Sequence, residues 1–234
     1  MLKLEHVSAA YGQSQVLWDV NLEIADAEAV TLIGRNGVGK STLLRTISGL
    51  HPVMGGGVRL NGEQVERLPA FARARSGLAY VPQGRGLFSQ LSVHENLLMG
   101  LPALGGRGTV KHEIPELVYE PLPICRDMAS RKAGNLSGGQ QQQVAIGRAL
   151  VTKPRYLLLD EPTEGIQPSI VQEIETALTR IRQELRVAVL LVEQYLDFAW
   201  AFADRYYVMQ KGRLVDTGLT ADTPTGAVQR YLGV

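Results

Sequence analysis

The chain has 234 residues, 45% of them apolar, with a formal net charge of +1. That size suits one large domain or two modest ones with ample core, and the lack of a basic excess argues against nucleic acid as a partner. A single cysteine, Cys125, excludes an internal disulfide, suits a reducing compartment and reads as a packing residue near a loop.

Strand-like runs open the chain at residues 2–7, 16–24 and 29–33. The first lacks the apolar core of a signal peptide. The octet Gly34-Arg35-Asn36-Gly37-Val38-Gly39-Lys40-Ser41 follows the third run and precedes the helix-like stretch beginning at Thr42. It fits G-x-x-x-x-G-K-[ST] in the strand–loop–helix setting that gives the pattern meaning. The glycines let backbone N–H groups turn toward phosphate oxygens, and the helix N-terminus adds partial positive charge. Lys40 is placed to reach the β- and γ-phosphates of a nucleoside triphosphate, and Ser41 to ligate Mg²⁺.

Further strands are predicted at 58–60, before the turn Asn61-Gly62, and at 78–81, cut off by Pro82. From about 84 to 150 no convincing strand appears. Pro102, Pro115, Pro121 and Pro123 break that stretch into helices and loops, and Gly105-Gly106-Arg107-Gly108 reads as a surface loop. Within it, Leu136-Ser137-Gly138-Gly139-Gln140 opens a helix-like segment, a second helix N-terminus with a hydroxyl and bare N–H groups suited to an anion. Read alone it is a helix cap. Beside a phosphate loop, it makes sense as a site that serves a neighbouring molecule.

Residues 156–159 form an apolar strand ending in Asp160-Glu161, which places two carboxylates at the mouth of an α/β sheet. Asp160 is the candidate for the Mg²⁺ shell, and Glu161 for polarising a water attacking the γ-phosphate. Strands at 187–192, 206–209 and 213–215 then alternate with helices at 168–184 and 196–203, as in a parallel sheet covered on both faces. The most apolar run, 187–192, is far short of the roughly 18 residues of a membrane span. The chain is therefore expected to be cytosolic, reaching a membrane only through a partner. His6, His51, His94 and His112 show no metal spacing and read as surface or packing residues.

With the phosphate loop at 34–41, Gln83 in Val81-Pro82-Gln83, the signature at 136–140 and the Asp-Glu strand at 156–161, in that order, the sequence resembles the nucleotide-binding subunits of ABC transporters over essentially its whole length. The resemblance implies an α/β fold: an ABC-type P-loop NTPase domain over residues 1–234, with a RecA-like core and antiparallel β subdomain (1–83 and 151–234) and a helical subdomain (about 84–150). It also implies ATP and Mg²⁺ as ligands, Tyr11 stacked on adenine, Gln83 on Mg²⁺ or the attacking water, and head-to-tail pairing of two domains. Leu136, Ser137, Gly138, Gly139 and Gln140 then face the partner's ATP. Permease subunits and, indirectly, a substrate-binding protein complete the implied assembly, on the inner face of the cell membrane, with residues 84–96 as the permease groove and Leu87 and Phe88 as its apolar contacts.

Residues 81–85, Phe88 and 91–97 are similar to importers of branched-chain and other hydrophobic amino acids. Residues 140–143, 161–170 and 192–199 resemble the second ATPase subunit of urea importers most, so urea is the first expectation and a branched-chain amino acid the alternative. Two departures stand out. Gln194 occupies the position where the family usually has a histidine, and Gln167 replaces a common acid. Glutamine can hydrogen-bond a phosphate oxygen but brings no cationic charge. The pair implies a heterodimer with unequal sites, although an isolated chain could form homodimers. The rival readings are a non-transport ABC ATPase, disfavoured by a single domain without sustained heptads, and a nucleotide-gated binding module, disfavoured by Glu161.

Overall fold

Buried Leu2, Leu4, Val7 and Ala9 set the core face of β1 (Leu2–Tyr11). The step from Leu4 to Val7 breaks strict alternation, and the strand absorbs it with an irregular register at His6, whose φ is 54°. β1 pairs antiparallel with β2 (Ser14–Ile24) and β4 (Gly55–Leu60), and β5 (Glu63–Gln64) completes a sheet of order β2-β1-β4-β5. The computed structural model describes residues 1–101 and 113–232; Pro102, the expected loop at Gly105–Gly108 and His112 lie outside them.

The second sheet has the order β10-β9-β3-β8-β7-β6. Its centre is β3 (Ala29–Ile33), β8 (Ala188–Val192) and β7 (Tyr156–Asp160), each buried at every position, as expected of parallel strands covered on both faces. β6 (Leu78–Val81) and β9 (Arg205–Gln210) also run parallel, while β10 (Arg213–Leu219) closes the edge antiparallel. α1 (Lys40–Ser48) lies in the apolar core shared by both sheets, where Leu43, Leu44 and Ile47 meet Leu4, Leu17, Leu158 and Leu190. The opposite sheet face packs against α6 (Gly138–Leu150) and α7 (Pro168–Leu185) through Val144, Ile146, Ile174 and Leu178.

Between residues 84 and 150 the described residues carry α3 (Val93–Leu98), α4 (Glu116–Tyr119), α5 (Ile124–Asp127) and α6, with only an isolated bridge from Ser92 to Lys132 as β-structure. α8 (Leu196–Phe202) packs on α7. Two helices escape the sequence reading: α2 (Ala70–Arg75) and α9 (Thr225–Leu232). α2 is short, and it is held by tertiary contacts rather than by its own pattern. Its Arg73 is 2% exposed and donates to the carbonyls of Thr46 and Ile47, satisfying the orphan C-terminal end of α1.

Four adjacent parallel strands deliver the functional loops to one edge. The C-terminal ends of β3, β8, β7 and β6 and the segments that follow them carry, in turn, Gly34–Ser41, Gln194, Asp160-Glu161 and Gln83. This is the carboxyl edge of an α/β sheet, where ligands bind.

Candidate nucleotide site

Gly39 is the N-cap of α1, with φ of 116°, and a Cβ there would lie 3.1 Å from Leu17. Only glycine permits both that conformation and that closeness. A groove of about 400 Å³ opens above it, lined by Val16, Asn36, Gly37, Gly39, Lys40, Ser41, Thr42, Gln83 and Glu161. Gly34 and Arg35 contribute through their carbonyls, which accept from the Lys40 ammonium at 2.7 and 3.0 Å. Val38 packs into the core, and its carbonyl accepts from Gly212. Burial lowers the pKa of Lys40 while nearby Glu161, Asp160 and Glu193 act in the opposite direction.

Asp160 is 3% exposed and accepts from the Ser41 hydroxyl and from the Tyr80 hydroxyl, both at 3.1 Å. Burial raises its pKa, and those two hydrogen bonds oppose the rise. A serine hydroxyl beside a carboxylate is a hard oxygen pair that fits Mg²⁺, with the remaining ligands drawn from phosphate and water. Among the described residues no cluster of three His, Cys, Asp or Glu offers an alternative metal site.

Glu161 stands at the centre of a polar web. Its Oε1 accepts from Gln194 Nε2 at 2.8 Å and lies 3.8 Å from Lys40 Nζ. Its Oε2 accepts from Gln83 Nε2 at 3.2 Å, and the same Gln83 amide donates to Glu164 at 2.8 Å. Glu161 is also left-handed, with φ of 49°, its N–H held by the Val192 carbonyl. For a non-glycine residue this is a sparsely populated conformation of the kind that concentrates at functional sites.

Tyr11 does not line the phosphate groove. It is half-exposed at the end of β1, its ring centroid 4.2 Å from that of His51 and tilted 34° to it. His51 itself is buried, with Nε2 at 3.1 Å from the Ala10 carbonyl, a packing role. His6 pairs with Asp19, and no histidine of the described residues joins the groove.

None of the signature residues lines the groove either. Ser137 is the N-cap of α6 and, with Gln140, forms a reciprocal capping box, leaving Ser137 exposed and Leu136 buried. Gly138 is half-buried, while Gly139 is packed so closely on α7 that a Cβ would fall 2.1 Å from Ile170 Cγ2. Phe88 is 48% exposed, whereas Leu87 is half-buried and packs onto the core, so of the two expected docking residues Phe88 presents more to the surface.

Sequence reasoning left four site residues unassigned: Val16 in the groove, Tyr80 on Asp160, Glu164 on Gln83, and Glu193. Glu193 is 3% exposed and accepts from the Thr163 N–H and hydroxyl at 2.9 and 2.6 Å and from the Gln194 N–H at 2.9 Å. An acid ending an otherwise apolar strand was the available signal, and it is visible in Val192-Glu193-Gln194.

The family model described as ABC transporter matches residues 17–164, more than half of the chain. A high-affinity branched-chain amino acid transport ATP-binding protein, BraG of Pseudomonas aeruginosa, is 44% identical, with the alignment covering 100% of both chains. A probable branched-chain amino acid transport ATP-binding protein, LivF of Archaeoglobus fulgidus, is 37% identical over 93% of this chain and 92% of its own. Among solved structures, a dimeric post-hydrolysis ATP-binding cassette bound to ADP and Pi superposes with a TM-score of 0.81 at 28% identity, covering 94% of this chain and 99% of that one.

Proposed function

The chain belongs to the ABC transporter family and hydrolyses ATP, and from that premise we propose that it powers import of branched-chain amino acids as one of two unlike ATPase subunits. The observation that carries the chemical part is the web on Glu161: an amide from Gln194 and one from Gln83 orient a carboxylate beside the phosphate loop. The solute is a change from the first expectation. Residues 140–143, 161–170 and 192–199 resemble the urea-importer subunit, but the relatives named above, aligned over 100% and 93% of this chain, are branched-chain amino acid transport ATP-binding proteins, so that reading takes precedence.

In this reading the phosphates of ATP lie along the N–H groups of Asn36–Thr42, and Lys40 exchanges its loop carbonyls for β- and γ-phosphate oxygens. Tyr11 stacks on adenine, and Val16 flanks the phosphate groove. Ser41 and Asp160 would hold Mg²⁺, with Gln83 lining the same groove as Ser41, and the ion would supply neutralisation of phosphate charge. Glu161 takes the proton of a water whose oxygen bonds to the γ-phosphorus. The bond from that phosphorus to the β–γ bridging oxygen breaks, releasing ADP and inorganic phosphate. The exposed Ser137 end of α6 serves the ATP of the paired cassette, which explains why the signature stays off this chain's own groove.

No described helix is long and apolar enough to cross a membrane. We place the chain at the cytoplasmic face, with exposed Phe88 on the surface that meets a permease helix. Opening of the ATP-clamped pair after hydrolysis then moves the permease.

The test is ATP hydrolysis by the chain with its candidate partner ATPase and permease in membranes, in the presence of loaded binding proteins. Stimulation by a branched-chain amino-acid-loaded receptor is the expected result. Stimulation by a urea-loaded receptor alone would keep the machine and restore the urea reading.

A further inference from the structure

Glu193 has no place in the chemistry above, yet it is the most thoroughly bonded acid at the site. Its carboxylate is buried to 3% exposure, and it accepts from the Thr163 N–H (2.9 Å), the Thr163 hydroxyl (2.6 Å), the Gln194 N–H (2.9 Å) and the Tyr195 N–H (3.4 Å). All four donors are neutral. They belong to two different loops: Thr163 to the loop after β7, and Gln194 and Tyr195 to the loop after β8. Burying a carboxylate that no cation bonds directly is costly unless its lone pairs are filled; Lys40 acts on Glu193 only through space, and the hydrogen bonds come only from groups of those two loops.

The position of Thr163 gives the arrangement a purpose. Glu161, two residues earlier, is the left-handed residue whose N–H is tied to the Val192 carbonyl. The turn it makes is therefore fixed on one side by β8 backbone and on the other by the Glu193 side chain, the next residue of the chain after Val192. Gln194, the donor to Glu161 Oε1, is fixed through its own N–H by the same carboxylate. One buried acid thus bonds both the segment two residues beyond Glu161 and the backbone of its hydrogen-bond partner.

We propose that Glu193 is a positioning residue, a buried brace that holds Glu161 in its strained conformation and in register with Gln194. The proposal rests on the reading of Glu161 as the base, and the test separates the two. Hydrolysis of Mg·ATP is measured for the chain and for Glu193→Gln, Thr163→Val, Thr163→Ser and Glu161→Gln, together with Glu193→Gln in the Glu161→Gln background. Equilibrium binding of a fluorescent ATP analogue and the thermal midpoint are recorded for each.

The brace requires Glu193→Gln to lower kcat about 10–100-fold, the scale of a misplacement of about an ångström, with analogue affinity within about twofold of the parent on a factor-of-two reading of unperturbed binding. Thr163→Val should show a smaller fall in kcat, and Thr163→Ser, which keeps the hydroxyl, should recover it. In the Glu161→Gln background, Glu193→Gln should change nothing further. Equal falls in both backgrounds, or a fall in analogue affinity matching that in kcat, would overturn the proposal. So would a parent-like kcat in Glu193→Gln. Should Glu193→Gln fail to fold, the Thr163 pair decides alone: a parent-like kcat in Thr163→Val overturns the brace. A parent-like rate in Glu161→Gln would instead remove the base reading, and the brace with it.

Discussion

Gln194 Nε2 donates a hydrogen bond of 2.8 Å to Glu161 Oε1, so the residue that departs from the family's usual histidine is joined directly to the candidate base. An amide donor can orient a carboxylate without adding charge. The bond therefore supplies geometry but not the electrostatic help that an imidazolium would give.

Glu161→Gln should lower the single-turnover rate at this chain's own site by roughly 10²–10⁴-fold, the usual contribution of a general base. Gln194→His should raise the rate or leave it level, since the ring keeps a donor toward Glu161 and can add charge. Rapid-quench measurements on both variants decide the point. A sharp fall in Gln194→His would mean that the amide has a role no imidazole fills.

Tyr11 offers a half-exposed ring whose centroid lies 4.2 Å from that of His51. Tyr11→Ala should weaken ATP binding about 2–13-fold, from a stacking contribution of about 0.5–1.5 kcal/mol, and leave kcat level. Tyr11→Phe should retain most of the affinity. Titration with a fluorescent nucleotide reads both, and an unchanged affinity in Tyr11→Ala would take the adenine away from this ring.

The phosphate loop, Asp160-Glu161 and the core strands were legible because each is local: an apolar run long enough to be a strand, ended by residues whose chemistry is unusual there. Gln83 could be seen only through resemblance, because its significance is a contact across 78 positions with Glu161. The acid at Glu193 is visible at the end of an apolar run, but its contact is not, for the same reason, its Thr163 partner lying 30 positions away. β4 begins at Gly55 rather than 58 because the run Gly55-Gly56-Gly57 carries no side-chain pattern and is held only by pairing to β1. α2 is likewise fixed by Arg73 on another helix's carbonyls, a contact no periodicity reports.

The two signature glycines are not equivalent. A Cβ at Gly138 would meet the flexible end of Arg85 at 3.0 Å, whereas one at Gly139 would collide with Ile170 at 2.1 Å. Gly139→Ala should therefore destabilise the α6–α7 packing by about 1–3 kcal/mol, a fall of about 2–4 °C in Tm per kcal/mol for a domain of this size. Gly138→Ala should leave Tm nearly unchanged and reduce only the hydrolysis that requires a paired cassette. Differential scanning calorimetry beside mixed-subunit ATPase assays separates these effects, and equal Tm values for the two variants would refute the distinction.

Cys125 is fully buried at the start of α5, and burial pushes its thiol up to about 12. At pH 8 the folded chain should resist thiol reagents and the denatured chain should react at once, since the thiolate is the nucleophile. The same shift has a sign in stability. The fold keeps the proton that the unfolded chain releases near pH 8.5, so the favourable contribution is complete below that pH and is lost as pH rises toward about 12. Well above the unfolded pKa, the slope approaches about 1.4 kcal/mol per pH unit. Tyr156 is also raised to about 12 by burial, but an unfolded tyrosine titrates only near pH 10. The difference between the parent and Cys125→Ala in denaturant unfolding between about pH 8.5 and 10 therefore isolates the thiol, because Lys40, whose pKa burial lowers, acts alike in both chains. Cys125→Ala should be less stable than the parent at pH 7, because a cavity remains beside α6, yet lose less stability as the solution becomes alkaline. Parallel curves for the two chains would mean that Cys125 ionises in the fold as freely as in the unfolded chain.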